Sequence, residues 1–231
     1  MEKSRKNIYL FPKPIQWSMA VIVLLMGAAV LYLAIEQIYF PLILILVPIL
    51  KPIAHFSLAP ILRLTGFLKY YSPMLLGVKM DDETLEIHNG NSFDYLINMK
   101  WKHRGDDAKK QIMIYYLMGL LKIIDEIERN NLQNKLYIVG VSYFLSQNTI
   151  RKLGFEEETV RFRRKFLFFV DYINLFLMYS YANGRMCFPN VFELKKVKIS
   201  ANKLIASKTK IFSMLNSLKH RYNLSYIAET K

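Results

Sequence analysis

Hydrophobic residues fall along this chain in two regimes. From Trp17 to Ile35 nineteen residues run without a charge. As a helix rising 1.5 Å per residue, that run is close to the ~30 Å hydrocarbon core of a bilayer. Glu36 and Gln37 interrupt it, and a second apolar run, Ile38 to Leu50, ends at Lys51. The two runs predict a transmembrane hairpin over 17–50, after a basic N-terminus over 1–16. The second limb is either a short span or a re-entrant segment. Carrying it on to Ala59 or Leu62 would give a full span but would place Lys51, Pro52 and His55 in the apolar layer, at a cost. From His55 to Val78 apolar and basic residues alternate with Pro60, Gly66 and Pro73. The region 51–78 reads as a short helix and linker lying on the membrane surface.

From Lys79 the pattern becomes that of a water-exposed domain, 79–231. Asn89-Gly90 is a hairpin turn signal, and it predicts antiparallel strands over Thr84–His88 and Tyr95–Trp101. From Asp106 to Asn130 apolar residues recur at Ile112, Tyr115, Tyr116, Gly119, Leu120, Ile123, Ile124 and Ile127, a helical period. Lys135–Leu145 is rich in β-branched and aromatic residues and predicts a central strand. A short helix capped by Ser146 should follow, stopped at Gly154. Val191–Ile199 predicts a strand and Asn202–Tyr222 an amphipathic helix. Between them, Phe166 to Tyr181 is nearly all apolar but contains Asp171 and Asn174. It is either a third span or a buried or surface-lying element.

Charge separates those alternatives. Lys3, Arg5, Lys6 and Lys13 precede the first run, Lys51, Arg63, Lys69 and Lys79 follow the second, and Glu36 is the only charge between them. The positive-inside rule then places both termini in the cytoplasm and the protein in the cell membrane. A third span would export a tail rich in lysine, so the same rule favours the buried or surface-lying element. A cleaved signal peptide is the rival reading of the first run, and the second run that follows at once argues against it. The formal net charge is +14. Such an excess suits anionic lipid, nucleic acid or acidic partners. Next to membrane segments, the cluster Arg161, Arg163, Arg164 and Lys165, interleaved with phenylalanine, is explained most simply by the anionic inner leaflet, and nucleic acid is the weaker reading.

Candidate chemistry is sparse. Cys187 is the single cysteine, which excludes an internal disulfide and any multi-cysteine zinc site. His55, His88, His103 and His220 have no i, i+4 partner, so no metal site is predicted. There is no P-loop, GxSxG or GxGxxG. One ordered series remains: strand Tyr95–Trp101, loop, helix, strand Lys135–Leu145, short helix, then Lys152-Leu153-Gly154-Phe155. This order resembles the C-terminal half of the GNAT N-acetyltransferase superfamily, over residues 95–156. The resemblance implies a mixed-sheet, GNAT-like cytoplasmic domain. It also implies that Arg104, Gly105 and Ala108, in His103-Arg104-Gly105-Asp106-Asp107-Ala108-Lys109, hold the pyrophosphate of acetyl-CoA or another acyl-CoA at a helix N-terminus. In the family the CoA wedge lies between two parallel neighbouring strands that diverge. Asp107 and Lys109 stand where the family has glycine or a small residue, and Ile150 where it often has a tyrosine that serves as general acid. Two functions follow: a membrane-tethered CoA-dependent acyltransferase, or a non-catalytic membrane-anchored protein that binds a protein partner as an accessory or immunity factor.

Overall fold

Two long helices open the structure, a computed structural model that describes residues 11–36, 40–81, 83–99, 103–132, 135–142, 147–159, 171–190 and 194–221. Helix α1 (Lys13–Glu36) packs against α2 (Phe40–Leu64). Small residues make the crossing: Ala20 is fully buried, and a Cβ on Gly27 would fall inside the Ser57 side chain. Close backbone approach over small residues is how helices associate where apolar burial gives no drive. Among the described residues one helix is long and apolar enough to cross a membrane, over the 21 residues Lys13–Leu33. Its Ile22, Leu25, Met26 and Leu33 side chains are exposed.

The second helix does not stop at Lys51 but runs on to Leu64. Lys51 Nζ lies 3.5 Å from the carboxylate of Asp171, so its charge is met within the protein. The stretch read as a surface linker over 51–78 therefore holds the second half of α2 and two strands. These are β1 (Lys69–Ser72) and β2 (Leu75–Lys79), joined at Pro73-Met74. Ser72 Oγ accepts the Leu75 N–H at 3.0 Å and tightens that turn.

A six-stranded mixed sheet forms the centre, with β3 (Thr84–Asn89), β4 (Tyr137–Ser142), β5 (Glu156–Glu158) and β6 (Lys195–Ser200) completing it. The order is β1-β2-β3-β4-β6-β5. All neighbours are antiparallel except β3 and β4, which run parallel from Thr84↔Tyr137 to Ile87↔Gly140. A parallel pair needs a crossover. Here α3 (Ser92–Asn98) and α4 (Asp106–Arg129) supply it. The α4 helix matches its predicted span and packs against β1, β2 and three other helices. Its middle is buried nearly all round, at Ile112, Ile114, Leu117, Leu120, Ile123 and Ile124. Gly119 allows the close approach to β2, since a Cβ there would lie 2.6 Å from Leu75 Cδ2.

The predicted strand Tyr95–Trp101 is instead α3 as far as Asn98, and residues 100–102 lie outside the described ones. The cause is a capping box. Asn91 Oδ1 accepts the N–H groups of Phe93 (2.9 Å) and Asp94 (3.1 Å), and Asp94 Oδ2 accepts the Asn91 N–H (2.9 Å). These bonds satisfy helix-start donors that a strand would have to pair elsewhere. Asn89 is not a hairpin corner but the last residue of β3, opposite Leu75. Downstream, α5 (Gln147–Lys152) ends as expected at Gly154, whose φ is +84°. Leu153 and Phe155 are core residues. Helix α6 (Tyr172–Asn183) is 12 residues long, too short to span a bilayer alone, and Gly184 closes it in a left-handed cap. The predicted helix over 202–222 is broken at Ser207 into α7 (Ala201–Ala206) and α8 (Lys208–Arg221). The basic cluster Arg161, Arg163, Arg164 and Lys165 lies outside the described residues, as does Ser146.

Candidate binding groove

The expected cofactor loop does lie at a helix N-terminus, with its first N–H engaged inside the protein. Gly105 is the N-cap of α4, with φ at +79°, and no side chain caps the helix. Its N–H donates to the Tyr181 carbonyl at 3.1 Å, and the Gly184 N–H donates to the same oxygen at 3.1 Å. The C-terminal end of α6 thus closes on the N-terminal end of α4. Opposite ends of two helix dipoles meet there, a favourable arrangement. The backbones cross closely, because a Cβ on Gly184 would lie 3.1 Å from Gly105 Cα and one on Gly105 would lie 3.7 Å from Gly184 Cα. An N–H group that was to cradle pyrophosphate is occupied by the protein's own carbonyl. Ala108 is fully buried. Of the three expected residues, Arg104 alone is exposed. Asp106 and Asp107 open α4, where a dipole favours acids, and each lies 3.5–3.6 Å from a lysine one turn on, Lys109 and Lys110 respectively.

Arg104 stands at the rim of a cavity of about 470 Å³ between α2, α3 and α6. Its walls are almost wholly apolar: Phe56 from α2, Tyr95 and Leu96 from α3, and Phe176, Leu177 and Met178 from α6. Phe56 meets the Phe93 ring edge-on at 4.8 Å, and Tyr95 meets Tyr181 edge-on at 5.7 Å. Beyond Gly184 the chain supplies Arg185 and Met186. Ser180 fixes that return. Its Oγ accepts the Cys187 N–H at 3.1 Å and donates to the Cys187 carbonyl at 3.2 Å. Arg104 and Arg185 each adjoin one of the two touching glycines, and both residues line the groove. Both are exposed, and neither has an ion-pair partner among the described residues. Leu177, Met186 and Phe188 are 52%, 78% and 72% exposed beside the groove, an apolar patch of the kind that marks an interaction site.

A buried polar cluster sets the position of α3. Asp94 is fully buried. Besides the Asn91 N–H, its Oδ2 accepts the Tyr70 hydroxyl at 3.0 Å, while Oδ1 accepts no hydrogen bond among the described residues. The Arg63 guanidinium, from the last turn of α2, lies 4.2 Å over the Tyr70 ring. Burial raises the Asp94 carboxyl to about 6, against the opposing pull of Asn91, Tyr70 and Arg63. This cluster ties the end of α2 to β1 and α3. Sequence reading missed the groove because its walls come from segments more than a hundred residues apart. Asn183-Gly184 is a pair that favours a turn, but no local pattern announces its contact with Gly105.

Among the described residues no group of His, Cys, Asp or Glu gathers to hold a metal ion. The chain matches no family model, no curated protein and no solved structure.

Proposed function

We propose that this is a membrane-tethered binding protein built on a GNAT-like sheet, and that it transfers no acyl group. The observation that carries this is the Tyr181 carbonyl, which accepts the Gly105 N–H and seals the start of α4 against a phosphate. Among the described residues, the groove beside it is lined by apolar residues, serines and two arginines, and none of these offers a carboxylate or imidazole to move a proton. The tether is the α1–α2 pair, with both flanks basic and cytoplasmic. The small-residue packing of Gly27 on Ser57 supports its retention over loss as a cleaved signal.

A specific observation favours cofactor binding as the second reading. β3 and β4 are parallel neighbours whose pairing ends at Ile87↔Gly140, while each strand runs two residues further, to Asn89 and Ser142. Diverging parallel strands are where the family's CoA wedge lies. Calorimetry with acetyl-CoA distinguishes the readings. No heat at millimolar CoA, from the wild type or from Asp107→Gly, is the expected result. Saturable heat from the wild type, lost in Gly105→Asp, would restore the acyltransferase.

A further inference from the structure

We infer that the groove between α2, α3 and α6 holds one anionic phospholipid, its acyl chain along the apolar walls and its phosphate between Arg104 and Arg185. The inference rests on the membrane tether proposed above. Phe56, which walls the groove, adjoins Ser57, and Ser57 packs on Gly27. Along α2, Phe56 lies ~24 Å from Phe40 and ~12 Å from Leu64, at 1.5 Å per residue, in the part nearer the cytoplasmic domain. Once the hairpin spans a bilayer, this wall borders the inner leaflet, where acyl chains and phosphates meet. The exposed Leu177, Met186 and Phe188 then face lipid, which removes the cost of holding them in water.

The arginines select the headgroup. A guanidinium at or below the membrane surface is costly unless paired. Arg104 and Arg185 have no ion-pair partner among the described residues, and none of the described residues that line the groove is an acid. The bilayer's own counter-charge is the lipid phosphate, which guanidinium groups bind by charge-assisted hydrogen bonds. Two positive charges on one rim match a headgroup of net negative charge. A choline headgroup would bring its own cation to the same place.

The test uses the full chain in nanodiscs doped with a phosphatidylglycerol or a phosphatidylcholine that carries the same photoreactive acyl chain. Peptide mass spectrometry then maps the labelled residues. We expect phosphatidylglycerol to label Phe56, Leu96 and residues 176–186 in preference to phosphatidylcholine. Arg104→Gln and Arg185→Gln, both exposed and so harmless to folding, should each cut that labelling roughly fivefold. Leu96→Trp, which fills the cavity, should abolish it with either arginine intact. Equal labelling by both lipids, no change in the double arginine variant, or displacement by a stoichiometric soluble acyl-CoA would overturn the inference. Resistance of the protein to carbonate extraction is scored separately. A chain that is extracted refutes the tether, whereas a retained chain with an unlabelled groove refutes the lipid site alone.

Discussion

Asp94 gives the sharpest quantitative prediction. Its carboxyl is raised from 3.8 to about 6, chiefly by burial. The folded state therefore holds this proton more tightly than the unfolded chain does. The resulting stability is fully present below the unfolded value and is lost as pH rises through about 6. A shift of about 2 units corresponds to about 3 kcal/mol. Roughly two-thirds of that falls between about pH 4.5 and about pH 7.5. For a chain of this size it corresponds to roughly 4–8 °C in Tm. Asp94→Asn cannot ionise, yet its amide oxygen can still accept the Asn91 N–H and the Tyr70 hydroxyl. The assay is thermal unfolding of the full chain in detergent, followed by near-UV circular dichroism, for wild type and variant side by side. Subtracting one curve from the other cancels the histidines and the surface carboxylates. Wild type should lose ground to Asp94→Asn steadily as pH rises, and the variant should be the more stable above pH 7. A constant offset across the range would refute the reasoning. It would mean that the Arg63 guanidinium, which faces this carboxylate beside Tyr70, holds it ionised throughout.

The remaining predictions concern packing and topology. Gly119→Val should destabilise the domain by about 1–3 kcal/mol or more, because the new side chain meets Leu75 Cδ2 and Cβ; chemical denaturation would measure it. Gly27→Leu should part α1 from α2, read as loss of a disulfide engineered between cysteines placed across that crossing. Reporter fusions at both ends should score cytoplasmic, and an external C-terminus would reverse the orientation. Replacing Arg161, Arg163, Arg164 and Lys165 together should weaken binding to anionic vesicles by about 1 kcal/mol per residue in low salt, with flotation as the readout.

How much of this was legible in the sequence depends on the range of the forces involved. Helix α4 could be read from its period alone, because Ile112, Leu120, Ile123 and Ile127 had to share a buried face. The strand at 137–142 and the stop at Gly154 were equally local. The turn signal at Asn89-Gly90 misled over 95–101, since seven residues fit either period and the Asn91–Asp94 capping box decides. That box was present as Asn-x-x-Asp and outweighs the Asn-Gly signal two residues earlier. Strands β1 and β2 were hidden by their neighbourhood: Tyr70, Leu75 and Val78 sit among basic and apolar residues that also suit a membrane surface. For Lys51 the deciding partner, Asp171, is 120 positions away, and no local pattern could announce it.

The fate of the Gly105 loop follows from the same contrast between local and distant partners. A helix N-terminus offers unpaired N–H groups and a positive dipole end, and any anion or carbonyl can satisfy them. In an acyltransferase of the resembled family the loop stays open to the cofactor's phosphates. Here α6 ends in Asn183-Gly184, and the left-handed turn at Gly184 lets its last carbonyls point at Gly105. Once Tyr181 accepts the Gly105 N–H, a pyrophosphate would have to break that bond and part the two glycine backbones. The freed carbonyl would then be left unpaired beside a negative ligand. Arg104 and Arg185 flank the same crossing, and both are exposed residues of the groove's lining. One glycine crossing thus closes the start of α4 and borders the groove. Gly184→Val should show it, because a side chain at that left-handed residue pushes directly against Gly105 Cα and N. The variant should lose lipid labelling of the groove while α1 still holds the protein in the membrane. If labelling persists at the wild-type level, the glycine crossing does not place the two arginines, and the link between closure and groove is wrong.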